Sequence, residues 1–98
     1  MLYDTPNTEN SPVQFRDKYD NFINGEWVAP VDGEYFDNPS PIDGKTICQV
    51  ARSKEADIEK ALDAAHAAKD AWGKTSVTER ANLLLKIADK MEENLEAI

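Results

Sequence analysis

The spacing of apolar residues changes near residue 53, from the short alternations of strands to the three- and four-residue steps of helices. Before that point the apolar positions come in short runs separated by turn dipeptides. Phe22-Ile23 and Glu26-Trp27-Val28 flank Asn24-Gly25, a pair suited to the positive φ angles of a two-residue hairpin turn. Tyr35-Phe36 reads as a second strand, stopping at Asn38-Pro39-Ser40-Pro41, where proline removes ladder donors. Thr46–Ala51 reads as a third, with Thr46, Cys48 and Val50 on one face and Ile47, Gln49 and Ala51 on the other. Asp32-Gly33 and Asp43-Gly44 mark the intervening turns.

After residue 53, Ile58, Ala61, Leu62, Ala65, Ala68 and Trp72 fall on one helical face. Ser53 is the expected N-cap, and Gly73 the expected stop in a left-handed conformation. A second helix starts at Ser76-Val77-Thr78-Glu79, which fits a capping box. Its apolar stripe is Leu84, Ala88, Met91, Leu95 and Ile98. The link over residues 73–76 is short and predicts an antiparallel two-helix hairpin with Trp72 near its loop end. The stripe reaches Ile98 without glycine or proline, and Glu92, Glu93 and Glu96 crowd the negative end of the helix dipole. The expectation is a helix cut within its length, at the front of a longer protein.

Residues 1–18 are rich in Asn, Thr, Ser and Asp, with Pro6 and Pro12, and read as an irregular arm. Leu2, Tyr3, Val13 and Phe15 are its apolar residues; it either hangs free or is anchored through Phe15 and Tyr19 on a surface not encoded in these residues. The chain is thus expected to be an α+β unit: an arm over 1–18, short strands and turns over 19–51, and a two-helix hairpin over 53–98.

Length and charge narrow the functions. The 98 residues are too few for a dinucleotide fold with a catalytic domain, although 41% hydrophobic content is enough for a modest core. Eleven Lys and Arg against 19 Asp and Glu give a net charge of −8, which disfavours nucleic acid and anionic membrane surfaces as partners. One cysteine excludes an internal disulfide. The opening Met1-Leu2-Tyr3-Asp4-Thr5-Pro6 has no basic and apolar leader pattern, and no run is long enough to cross a membrane; the cytoplasm is the expected location.

Candidate chemistry is sparse. Cys48 lies in an apolar strand, with no histidine or helix N-terminus nearby in sequence, and reads as a packed thiol. His66 is the one imidazole, set among alanines one turn before Asp70, and reads as a surface group paired weakly with that carboxylate. Glu92, Glu93 and Glu96 form a solvated face. Arg16, Arg52 and Arg80 are scattered and make no patch, so Trp27 and Trp72 are expected in a core or interface. The glycines form neither a dinucleotide fingerprint nor a phosphate loop.

The ordered text from Tyr19-Asp20-Asn21-Phe22-Ile23-Asn24-Gly25-Glu26-Trp27-Val28 resembles the start of the NAD(P)-dependent aldehyde dehydrogenase superfamily. The resemblance continues through Asn38-Pro39, Gly44-x-x-Ile47-x-x-Val50, the alanine-rich run Asp57–Trp72, and Thr78-x-Arg80-Ala81-x-x-Leu84-x-x-Ile87-Ala88-Asp89. Gly25–Pro30 with Asp32–Tyr35 is most similar to the bacterial acetaldehyde dehydrogenase branch. The resemblance implies a larger protein with a Rossmann-type NAD or NADP domain, a catalytic domain and an oligomerisation strand pair. It implies a cysteine nucleophile and a water-activating glutamate in motifs that do not match this chain, so Cys48 inherits no role and no residue here is expected to be catalytic or to bind cofactor. The one position carried over is Asp37, whose backbone carbonyl would be one ligand of a structural cation.

The expected function is scaffold for such an enzyme, inactive alone and binding no cofactor alone. Its partner would be the remainder of an aldehyde dehydrogenase chain, or a second copy through the exposed stripe of helix two. The competing readings are a stand-alone acidic interaction module and, more remotely, a small enzyme using Cys48 and His66.

Overall fold

The computed structural model describes residues 5–98, so the expectations for Leu2 and Tyr3 lie outside the described residues. The elements are β1 (Lys18–Tyr19), β2 (Asn21–Ile23), β3 (Glu26–Val28), β4 (Tyr35–Pro39), β5 (Thr46–Ala51), α1 (Glu55–Gly73) and α2 (Val77–Glu93). This is an α+β arrangement of short strands followed by two helices.

β2 and β3 form the expected antiparallel hairpin, with Phe22 opposite Trp27. Asn24 and Gly25 both have positive φ, 53° and 77°, as a turn matched to strand twist requires. The other sheet has the order β1-β5-β4. β5 pairs antiparallel with β4 and parallel with β1, so Lys18, at the end of the arm, is part of the sheet. β4 runs through Asn38 to Pro39 rather than stopping before them. Proline is tolerated because β4 is an edge strand, and the register slips there: Asn38 faces Cys48, Pro39 faces Thr46, and Ile47 is the extra residue.

Helix boundaries also differ from expectation. Lys54, not Ser53, is the N-cap of α1, because the Ser53 hydroxyl is bonded instead to Asn21 Oδ1 at 2.9 Å. The helix continues through Gly73, and Lys74 follows at φ −89°, so the stop is not left-handed. Ser76 caps α2 as expected, its hydroxyl accepting from the Glu79 N–H at 3.1 Å while the Glu79 carboxylate accepts from the Ser76 N–H at 2.9 Å. α2 ends at Glu93, where the Asn94 side-chain amide donates to the Lys90 carbonyl at 2.8 Å. The cut helix expected at Ile98 is therefore replaced by a capped end and further turns.

The helices follow one another across the short link, where Arg80 of α2 lies against Trp72 of α1. α1 leans on β2, and no residue of α2 is buried. The radius of gyration, 17.6 Å, exceeds the about 13 Å of a compact domain of this length. Cys48 is the one buried hydrophobic residue of the core among those described, at 6% exposure.

Candidate functional site

Three constellations stand out, and each is built from contacts between segments. The first joins the sheet region to α1. Asp57, 4% exposed, accepts from the Lys54 N–H at 3.0 Å and the Val31 N–H at 2.9 Å. These two backbone donors hold its carboxyl below the usual aspartate pKa, Lys54 contributing most, because they bind the charged form. The Lys54 ammonium pairs with Asp32 at 3.0 Å and Glu34 at 3.1 Å, which raises its own pKa. The junction ties the β3–β4 turn to the start of α1.

The second is an aromatic cluster on the hairpin. The Arg16 guanidinium lies 4.5 Å from the Trp27 ring centre and 5.0 Å from that of Tyr19, and Phe22 packs 5.1 Å from Trp27. Tyr19 thus anchors on this chain itself. Nearby, Lys18 lies over Tyr35, whose hydroxyl donates to Asp20; that bond holds the phenol proton and raises its pKa. Arg52 lies 4.9 Å from the Phe36 ring centre, and Arg80 lies 5.3 Å from that of Trp72. The three arginines are not a patch, yet each covers an aromatic ring, a placement their sequence separation concealed. Arg80 also donates to the Trp72 carbonyl at 2.9 Å and the Gly73 carbonyl at 3.3 Å, supplying positive charge at the end of α1.

The third is the uncovered apolar surface of the helices, where Ile58, Leu62 and Trp72 of α1 and Leu84, Leu85 and Met91 of α2 are exposed.

The residues considered for chemistry are not brought together. Cys48 is a buried free thiol 3.9 Å from the Asn38 amide nitrogen, whereas His66 is exposed on α1. No hydrogen bond or ion pair links His66 to Asp70 among the described residues. Asp37 is exposed on β4, and its carboxylate accepts from the Gln49 side-chain amide at 3.0 Å across the ladder. Among the described residues no group of three His, Cys, Asp or Glu that could hold a metal ion is gathered. No helix among them is long and apolar enough to cross a membrane.

The family model described as "Aldehyde dehydrogenase family" matches residues 27–98. The chain belongs to the aldehyde dehydrogenase family. It is 62% identical over 96 residues to an aldehyde dehydrogenase of Deinococcus radiodurans, covering 98% of this chain and 19% of that protein. It is 59% identical over 98 residues to a long-chain-aldehyde dehydrogenase of Acinetobacter, covering 100% of this chain and 20% of that protein. It is 56% identical over 98 residues to an acetaldehyde dehydrogenase of Pseudomonas aeruginosa, covering 100% of this chain and 19% of that protein. The chain thus spans about one-fifth of the length of these aldehyde dehydrogenases.

Proposed function

We propose that this chain is a scaffold segment of an NAD(P)-dependent aldehyde dehydrogenase that oxidises an aldehyde, acetaldehyde or one like it, to the carboxylic acid. The cysteine nucleophile, the water-activating glutamate and the cofactor loop then belong to the remaining length, and Cys48 and His66 take no part. The observation that carries the reading is the apolar surface left bare on α1 and α2 in a chain matching one-fifth of its relatives. In the same reading the remainder of the enzyme is the partner, with neither nucleic acid nor membrane engaged, and the protein is cytoplasmic. The Asp37 carbonyl would be one ligand of a structural cation completed by residues outside this chain.

A chimera tests it. The matching segment of the Pseudomonas aeruginosa relative is replaced by this chain, and NAD-dependent acetaldehyde oxidation is followed by NADH absorbance. The chimera is expected to retain activity within about tenfold of the parent, a loss of about 1.4 kcal/mol in transition-state stabilisation at most. The 98-residue chain alone is expected to give no turnover with NAD or NADP. A soluble but inactive chimera, or turnover by the chain alone, would defeat the proposal; a chain that melts cooperatively as a monomer would favour the acidic interaction module.

A further inference from the structure

Asn24-Gly25 differs in its chemistry from the other glycine turns. Asn24 is the one asparagine of the chain that precedes a glycine. Its side chain is a neutral amide, which a nucleophile can attack. Asp32 and Asp43, before Gly33 and Gly44, carry carboxylates that are already engaged, Asp32 by the Lys54 ammonium at 3.0 Å and Asp43 by the Lys45 N–H at 3.0 Å. Asn24 and Gly25 are exposed, and open space lies where a side chain on Gly25 would stand. The Asn24 side-chain amide has no hydrogen-bond partner among the described residues. The folded turn nevertheless holds the reacting atoms apart. Asn24 has φ 53°, in the left-handed region where ψ is about +30 to +60°, and this sets the Gly25 nitrogen anti to the Asn24 β-carbon. A ring between that nitrogen and the side-chain carbonyl closes only when the turn opens. The hairpin keeps it shut: Phe22 pairs with Trp27 at 5.1 Å between ring centres, and Arg16 covers Trp27 at 4.5 Å. A two-stranded ribbon this short is marginal in water, so these contacts govern how often the turn opens.

We propose that Asn24 is a deamidation site whose rate is set by opening of the β2–β3 hairpin. In the opened turn the Gly25 nitrogen, its proton taken by hydroxide, attacks the Asn24 side-chain carbonyl carbon. A bond forms between that carbon and the Gly25 nitrogen, the bond to the Asn24 Nδ2 breaks, and ammonia leaves with a proton from water. Water then opens the imide ring, at the main-chain carbonyl to give isoaspartate or at the side-chain carbonyl to give aspartate. Nothing is oxidised or reduced. Either product adds a negative charge to a chain already at −8. Isoaspartate also inserts a methylene into the main chain, so the turn no longer matches the twist of its strands. Phe22 then loses its register with Trp27, and Arg16 loses the ring it covers.

The test follows the chain in mildly alkaline buffer, folded and in guanidinium chloride. Peptide mass spectrometry reads conversion at each asparagine, and methyl transfer from S-adenosylmethionine by an isoaspartyl methyltransferase counts isoaspartate. In denaturant Asn24 should convert about tenfold or more ahead of Asn10, which precedes serine, because residue 25 has no side chain to hinder the attack. In the folded chain Asn24 should still convert, more slowly than in denaturant, with isoaspartate among the products. Arg16→Ala removes an exposed cation–ring contact and should speed the folded reaction about two- to fivefold. Trp27→Ala removes the ring itself and should speed it further, up to the denatured rate. In denaturant both variants should match the parent, and Asn24→Gln should abolish the signal. Parity of Asn24 with Asn10 in denaturant, or no conversion at Asn24 in the folded chain, overturns the site. A folded rate equal to the denatured one, or unchanged by Arg16→Ala and Trp27→Ala, overturns its control by the hairpin.

Discussion

Residues 17–53 and residues 54–98 satisfy their backbones in opposite ways. In the sheet region partners are distant in sequence: the Gln49 N–H donates to the Asp17 carbonyl at 2.8 Å, and the Arg52 N–H to the Glu34 carbonyl at 2.9 Å. β5, paired on both edges, carries the buried Cys48. In the helical region the bonds are local, and even the ends are closed from within a few residues, by Ser76 with Glu79, by Arg80 and by Asn94. A helix satisfies its backbone from within, although most of its stability comes from packing its apolar face, whereas a strand this short finds its backbone partners only in its neighbours. Exposed apolar side chains nevertheless remain in both regions, among them Phe22, Trp27 and Ile42 in the first and Leu84, Leu85 and Met91 in the second.

The largest expected effect strikes the sheet side. Cys48→Asp places an unpaired charge in a buried apolar position and should cost about 3 kcal/mol. Amide protection should collapse in β4 and β5 while residues 77–93 exchange as before. Equal loss in both regions would show that they are one cooperative unit and erase the contrast.

Next comes the bond that joins the two regions. Asp57→Ala should expose the Val31 and Lys54 amides to exchange and fray the first turn of α1, leaving the hairpin β2–β3 intact. The same junction has a pH signature. Because the folded carboxyl sits below its usual value of 3.8, the stabilisation is complete above that pH and disappears as pH falls through the lowered folded value. The Val31 amide proton resonance should stay fixed from pH 7 to 5 and move only below 3.8; a transition centred above that would contradict the bonding described.

The smallest effect tests the local character of the helices. Ser76→Ala should cost about 1 kcal/mol, confined to α2, and appear as lower helicity by circular dichroism. A change in β5 exchange on this substitution would mean that α2 is coupled to the sheet after all.

Signals lying within four residues of one another were legible from the residues. Asn24-Gly25 specified the hairpin, Ser76 with Glu79 specified the start of α2, and the ordered motifs specified the family. Less obvious local signals went unread: Asn94 is also a local cap, but the apolar stripe through Ile98 masked it. Features needing a remote partner were concealed. Nothing near Pro39 shows that β4 will be an edge strand, and Ser53 looked like a cap because its competing partner, Asn21, is 32 residues away. Arg16, Arg52 and Arg80 looked unrelated because what they share, an aromatic face beneath each guanidinium, exists only after folding.

By itself the sequence determined the element types, since apolar period, turn dipeptides and the Ser76 cap act through the local backbone, and it determined family membership through motif order. Only the tertiary structure decided how β1, β5 and β4 are ordered, that Asp57 ties two segments together, and that Arg16 lies over Trp27. Those outcomes depend on which distant groups compete for the same hydrogen bond or apolar face, and that competition is resolved in space, not along the chain.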